Sequence, residues 1–101
     1  MYIEGKLIKN SLYIYPLVDI DERYANIIRR EIDNLIDNNA FNKLIFDFKN
    51  IDFMDSTGIG MILGRYKKLH KQNISVSVRN ANSQIDKVLR ASGMYELFLS
   101  D

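Results

Sequence analysis

Cysteine is absent from this sequence, which removes disulfide frameworks, thiolate nucleophiles and most structural zinc sites together. Cytosolic residence is the default that follows. Histidine occurs once, as His70, so a Ser-His-Asp triad would have to use a side chain at a lysine-rich helix end. No His/Glu pair at helical spacing offers a metal site. Charge of one sign is missing as well: 14 basic against 13 acidic residues leave a formal +1, which argues against nucleic acid and acidic membranes as partners. No apolar run approaches the ~18 residues that span a bilayer, and the amino terminus lacks a charged leader with an apolar stretch and a cleavage site. Neither membrane insertion nor export is expected.

What is present fits one ordinary domain. A chain of 101 residues, 47% hydrophobic and 27% charged, is long enough to bury a core without staples and leaves no room for a second domain. We expect it to be monomeric when free. Residues 2–9 and 12–18 read as two strands joined at Asn10 and Ser11, an amino-terminal hairpin. Pro16, the only proline, predicts that the second strand lies near a sheet edge or ends in a bend. From Asp21 to about Asn38 the period becomes helical, with Tyr24, Ile27, Ile28, Ile32, Leu35 and Ile36 on one face. Asp19 and Asp21 precede it, where carboxylates cap free N–H groups.

Residues 43–48 then read as a buried central strand, and residues 74–78 as a second one. Ser83, Gln84, Ile85 and Asp86 form a capping-box pattern opening a short helix that Gly93 stops. Leu97, Phe98 and Leu99 suggest a final short strand. The expected order is ββαβαβαβ, an α/β domain with a mixed β-sheet and crossover helices.

Chemistry concentrates in residues 51–68. Asp55, Ser56 and Thr57 sit between a strand and a helix, so two hydroxyls stand where orphan N–H groups favour negative charge. Asp47, Asp52 and Asp55 invite comparison with a Mg²⁺ cluster, but Asp52 reads better as a turn residue and Asp55 as a cap. Gly58, Gly60 and Gly64 superficially resemble a dinucleotide loop, with Arg79 placed for a 2′-phosphate. Asp55 would then face the pyrophosphate with like charge, and no second nucleotide-binding half follows. A Walker loop is excluded, since no Gly-Lys-Ser/Thr occurs.

Ser56, Gly60 and Gly64 also fall at i, i+4 and i+8, a helix stripe almost without side-chain bulk. Each interior glycine costs about 1 kcal/mol relative to alanine, so something must approach that stripe closely. The protein's own sheet or a neighbouring helix is one candidate; another protein's backbone is the other.

Residues 52–67, Asp-Phe-Met-Asp-Ser-Thr-Gly-Ile-Gly-Met-Ile-Leu-Gly-Arg-Tyr-Lys, resemble the signature of STAS-domain anti-sigma factor antagonists. The Met-Asp-Ser and Leu-Gly-Arg-Tyr-Lys elements resemble the sporulation members most closely. The likeness extends to the initial hairpin, to Asp19, Ile20 and Asp21, and to Arg-Ala-Ser-Gly-Met at residues 90–94. Val18 and Pro16 depart from the family pattern. The resemblance implies a single STAS domain that is a partner switch, not an enzyme, and that carries no cofactor or metal.

By resemblance the unphosphorylated form binds an anti-sigma factor that is also an ATP-dependent serine kinase, and a PP2C-type phosphatase reverses its modification. Ser56 is the implied acceptor, with Thr57 the neighbouring hydroxyl. Asp19, Asp21, Asp55, Ser56, Thr57, Gly58, Gly60 and Gly64 are the implied partner-facing residues. Sporulation is the expected pathway. A stress-response relative, or a small nucleotide-binding domain using Gly58, Gly60 and Gly64, is the alternative.

Overall fold

The computed structural model describes residues 1–99. Its elements are β1 (Ile3–Ile8), β2 (Ser11–Pro16), α1 (Ala25–Asp37), β3 (Lys43–Asp47), α2 (Ser56–His70), β4 (Ser75–Arg79), α3 (Ser83–Ala91) and α4 (Met94–Leu99). They build one four-stranded sheet in the order β1-β2-β3-β4. β1 and β2 are antiparallel, while β2, β3 and β4 run parallel.

The hairpin turns at Lys9 and Asn10, one residue earlier than expected, because Lys9 adopts the positive φ of 56° that a two-residue turn needs and Ile8 pairs with Ser11. Pro16 ends β2 opposite Ile3, beyond the last β2–β3 pair, Ile14 with Phe46, so its missing donor interrupts no ladder.

Strand order explains the layering. β2 reaches β3 through α1, and β3 reaches β4 through α2, each stepping one strand in the same direction. Right-handed crossovers of that kind put both helices on one face. Ile28, Ile32 and Ile36 of α1, Met61, Ile62, Tyr66 and Leu69 of α2, and Ile85 and Leu89 of α3 therefore share one core with Ile3, Leu12, Ile14, Leu44, Phe46 and Val76 of the sheet.

Among the described residues no helix covers the opposite sheet face. Lys6 and Lys49 lie over the Tyr15 ring at 5.5 and 5.1 Å, and Arg79 lies over Tyr13 at 5.2 Å. The charged groups themselves sit over the ring faces, and Ile45 on the neighbouring strand remains only 7% exposed.

The carboxyl-terminal end corrects the expected order to ββαβαβαα. Residues 97–99 belong to α4, not to a strand. Gly93, at φ 78°, turns the chain after α3, and the Leu97 carbonyl accepts a hydrogen bond from the Tyr66 hydroxyl at 3.2 Å. An apolar triplet is too short for periodicity to separate helix from strand. The first helix also begins later than expected. Residues 21–24 form a turn in which the Asp21 carbonyl accepts from the N–H groups of Tyr24 and Ala25, and α1 starts at Ala25.

Candidate functional site

Two loops and the start of α3 converge on the beginning of α2. The loop after β2 runs beside the loop after β3: the Ile20 N–H donates to the Phe53 carbonyl at 3.1 Å, and the Asp55 N–H donates to the Ile20 carbonyl at 3.2 Å. Asp19 Oδ1 accepts from the backbone N–H groups of Asp52 and Phe53 at 2.9 and 3.1 Å. From the other side Gln84 clamps Met54, accepting its N–H at 3.0 Å and donating to its carbonyl at 2.9 Å. Asn82 donates to the Asp52 carbonyl at 3.0 Å. Every backbone N–H and C=O of Asp52, Phe53, Met54 and Asp55 is thereby hydrogen-bonded, since the Asp55 carbonyl accepts from Gly58 and Ile59. No backbone polar group of the loop is left without a partner.

Asp55 is the N-cap of α2, its carboxylate accepting from the N–H groups of Thr57 at 2.8 Å and Gly58 at 3.3 Å. Ser56 and Thr57 follow with exposed side chains. The anion-binding capacity of this helix start is already occupied by Asp55, which disfavours the nucleotide reading.

The glycines divide into two kinds. Gly58, one of the residues expected to face the partner, is buried: a Cβ there would lie 2.6 Å from Met54 Cγ and 2.9 Å from Ile20 Cγ2. Its missing side chain lets α2 start directly against the Asp19 loop. At Gly60 and Gly64 a Cβ would meet nothing within 4 Å. Neither the sheet nor a neighbouring helix requires these two glycines.

Asp19 and Asp21 do not cap α1, whose N-cap is Tyr24 without a side-chain cap bond. Asp19 serves the Asp52–Phe53 backbone instead. Asp21 is gripped by Arg23, whose Nη2 and Nε lie 2.6 and 3.1 Å from its oxygens. The Arg23 guanidinium holds the Asp21 carboxyl below its usual range, against the opposing effect of burial. The expected capping box also shifts. Asn82, not Ser83, caps α3 by accepting from the Ile85 N–H at 2.9 Å, and Asp86 turns to Tyr95 and Arg90.

Asp47, Asp52 and Asp55 are committed separately. Asp47 is fully buried, accepting from Arg79 Nε at 2.9 Å, Asn80 Nδ2 at 3.0 Å and the Lys49 N–H at 3.0 Å. Burial alone would raise its pKa; the Asn80, Lys49 and Arg79 bonds outweigh that and lower it. Arg79, the candidate 2′-phosphate contact, is thus held on Asp47. Arg65 is also internal. Its side chain is 12% exposed and its Nε stands 3.1 Å from Asp33 Oδ1 across the α1–α2 seam.

Sequence reading placed Gln84 only in a capping-box pattern and passed over Asn82. Their only local signal was the polar opening of α3, which reads equally well as ordinary capping.

A fully hydrogen-bonded loop, an exposed serine at a capped helix start and a four-stranded mixed sheet define an α/β domain whose candidate site lies at the start of α2. Residues 4–100 match the STAS domain family, to which this chain belongs. Among its relatives, the anti-sigma F factor antagonist of Paenibacillus polymyxa is 29% identical over 79 residues, 78% of this chain and 68% of that protein. The anti-sigma-B factor antagonist of Bacillus subtilis (strain 168) is 24% identical over 95 residues, 94% of this chain and 85% of that protein. The anti-sigma factor antagonist SpoIIAA in its unphosphorylated form superposes with a TM-score of 0.78 at 25% identity, covering 94% of this chain and 84% of that one. Its phosphorylated form superposes with a TM-score of 0.70 at 25% identity, covering 94% and 86%.

Proposed function

We propose that this protein is an anti-sigma factor antagonist controlled by phosphorylation of Ser56. It is a regulatory binding protein and not an enzyme. In this reading the unphosphorylated form docks on a cytoplasmic anti-sigma factor that is also an ATP-dependent serine kinase, and the sigma factor is released. Phosphorylation of Ser56 ends binding, and a PP2C-type phosphatase restores it. The pathway is sporulation control, in keeping with the sigma F relative and with SpoIIAA.

The observation that carries the reading is the relation of Ser56 to Asp55. A phosphoserine adds ~1.5 to 2 negative charges. Asp55 already takes the N–H groups of Thr57 and Gly58, so the phosphate gains little from the helix start and faces a carboxylate next to it. It is displayed toward a partner and not absorbed by the fold. Repulsion worth about 2.7 kcal/mol lowers affinity about a hundredfold, with no rearrangement of the domain. The bare surface of Gly60 and Gly64, one and two turns further along, supports close approach by another backbone.

The test is phosphorylation by the purified anti-sigma kinase with ATP, followed by mass spectrometry. Modification of Ser56, its loss in Ser56→Ala, and weakened binding of a folded Ser56→Asp variant are expected. Undiminished phosphorylation of Ser56→Ala overturns the assignment.

A further inference from the structure

Of the six tyrosines and five phenylalanines, Phe53 alone is exposed among the described residues, at 42%. Burying a side chain of this size contributes roughly 1.5–3 kcal/mol, and the fold leaves 42% of the Phe53 surface in water. Mobility does not account for the exposure. The Phe53 N–H is held by Asp19 and its carbonyl by the Ile20 N–H, so the ring projects from a fixed backbone. Its flanks are acidic and functional at once: Asp52 is exposed immediately before it, Asp55 follows two residues later, and Ser56 three residues later.

Rigid exposed aromatics with little entropy left to lose are the side chains on which interface affinity concentrates. We infer that Phe53 is the apolar anchor of the docking surface, inserting into an apolar recess of the anti-sigma factor that is rimmed by cations facing Asp52 and Asp55. The inference rests on the function proposed above and adds the chemistry of the partner's surface. It also separates two jobs within one loop. Ser56 decides whether the partner binds, and Phe53 supplies much of the affinity with which it does. Because the anchor acts before phosphoryl transfer, its loss acts on KM for Ser56 phosphorylation and leaves kcat largely intact.

The experiment compares the full chain with Phe53→Ala and with Ile8→Ala, a 51% exposed apolar residue at the hairpin end of the sheet. Binding to the purified anti-sigma factor is measured by calorimetry and phosphorylation by steady-state kinetics. Phe53→Ala is expected to weaken binding by about 30-fold or more and to raise KM, whereas Ile8→Ala changes neither. A photo-cross-linking benzoyl-phenylalanine at position 53 keeps an aromatic ring in place and is expected to couple to the anti-sigma factor, while the same group at position 8 does not. Binding by Phe53→Ala within about twofold of the unsubstituted chain, or no cross-link from position 53 in a complex that forms, overturns the anchor alone. Failure of the unsubstituted chain to bind or be phosphorylated overturns the proposed function, and the anchor with it.

Discussion

Asp19 and Phe53 stand 34 residues apart in the chain, yet the Asp19 carboxylate accepts the Phe53 backbone N–H at 3.1 Å and that of Asp52 at 2.9 Å. A residue whose position suggests a helix cap is the clasp of the loop that presents Ser56. Within the fold Asp19 holds the loop, Ile20 lies in the core and Asp21 pairs with the exposed Arg23.

Removing the clasp exchanges two charge-assisted hydrogen bonds at an exposed site for bonds to water. Asp19→Ala is expected to destabilise the fold by about 1–3 kcal/mol, with Asp19→Asn milder because its amide oxygen still accepts. Amide hydrogen exchange provides the specific check. Asp52 and Phe53 should exchange faster in Asp19→Ala, while amides of β3 should slow or speed only with global stability.

The three glycines of α2 should respond with opposite signs. Alanine at position 58 meets Met54 Cγ, Ile20 Cγ2 and the Ile20 carbonyl at 2.6, 2.9 and 3.2 Å, and the backbone oxygen cannot rotate away. The strain of about 1–3 kcal/mol is expected to outweigh the gain in helix propensity. Gly60→Ala and Gly64→Ala enter open space and should each stabilise by up to about 1 kcal/mol. Denaturant melts give these signs. If the stripe is the docking surface, the two stabilising variants should also bind the anti-sigma factor less well.

Asp47 links stability to pH. Its folded pKa lies below the 3.8 of an unperturbed aspartate, so the unfolded chain takes up a proton first as acid is added. The stabilisation is fully present above pH ~4 and is lost as pH falls through the folded value. Asp47→Asn keeps an acceptor but not the charge facing Arg79. We expect it to be less stable at pH 7 and to show a shallower loss of stability as the pH falls below ~4. Parallel acid titrations of both proteins, followed by circular dichroism, provide the measurement.

Local patterns carried much of the fold. The 3.6-residue period of α1, the apolar run of β3 and the cap-and-glycine opening of α2 are each encoded within a few consecutive residues. The last element failed because Leu97, Phe98 and Leu99 present apolar bulk without a period. Its helical state comes from the turn at Gly93 and from packing beside Tyr66 and Tyr95. The role of Gln84 was not legible for a related reason. A polar residue in a first helical turn has an adequate local explanation, and its bonds to Met54 span 30 residues.

By itself the sequence determined the types of all elements but the last, the α/β class, the family signature and the position of the exposed hydroxyl at a helix start, because these depend on neighbours along the chain. Tertiary structure decided which acidic residues face inward, which glycine is buried and which two are open, why Arg65 belongs to a helix seam, and that Phe53 projects from a fixed loop. Each of those depends on which distant backbone arrives alongside. Hydrogen bonds between the Asp19 loop, the Phe53 loop and the start of α3 are made only when same-handed crossovers bring the ends of the parallel strands together.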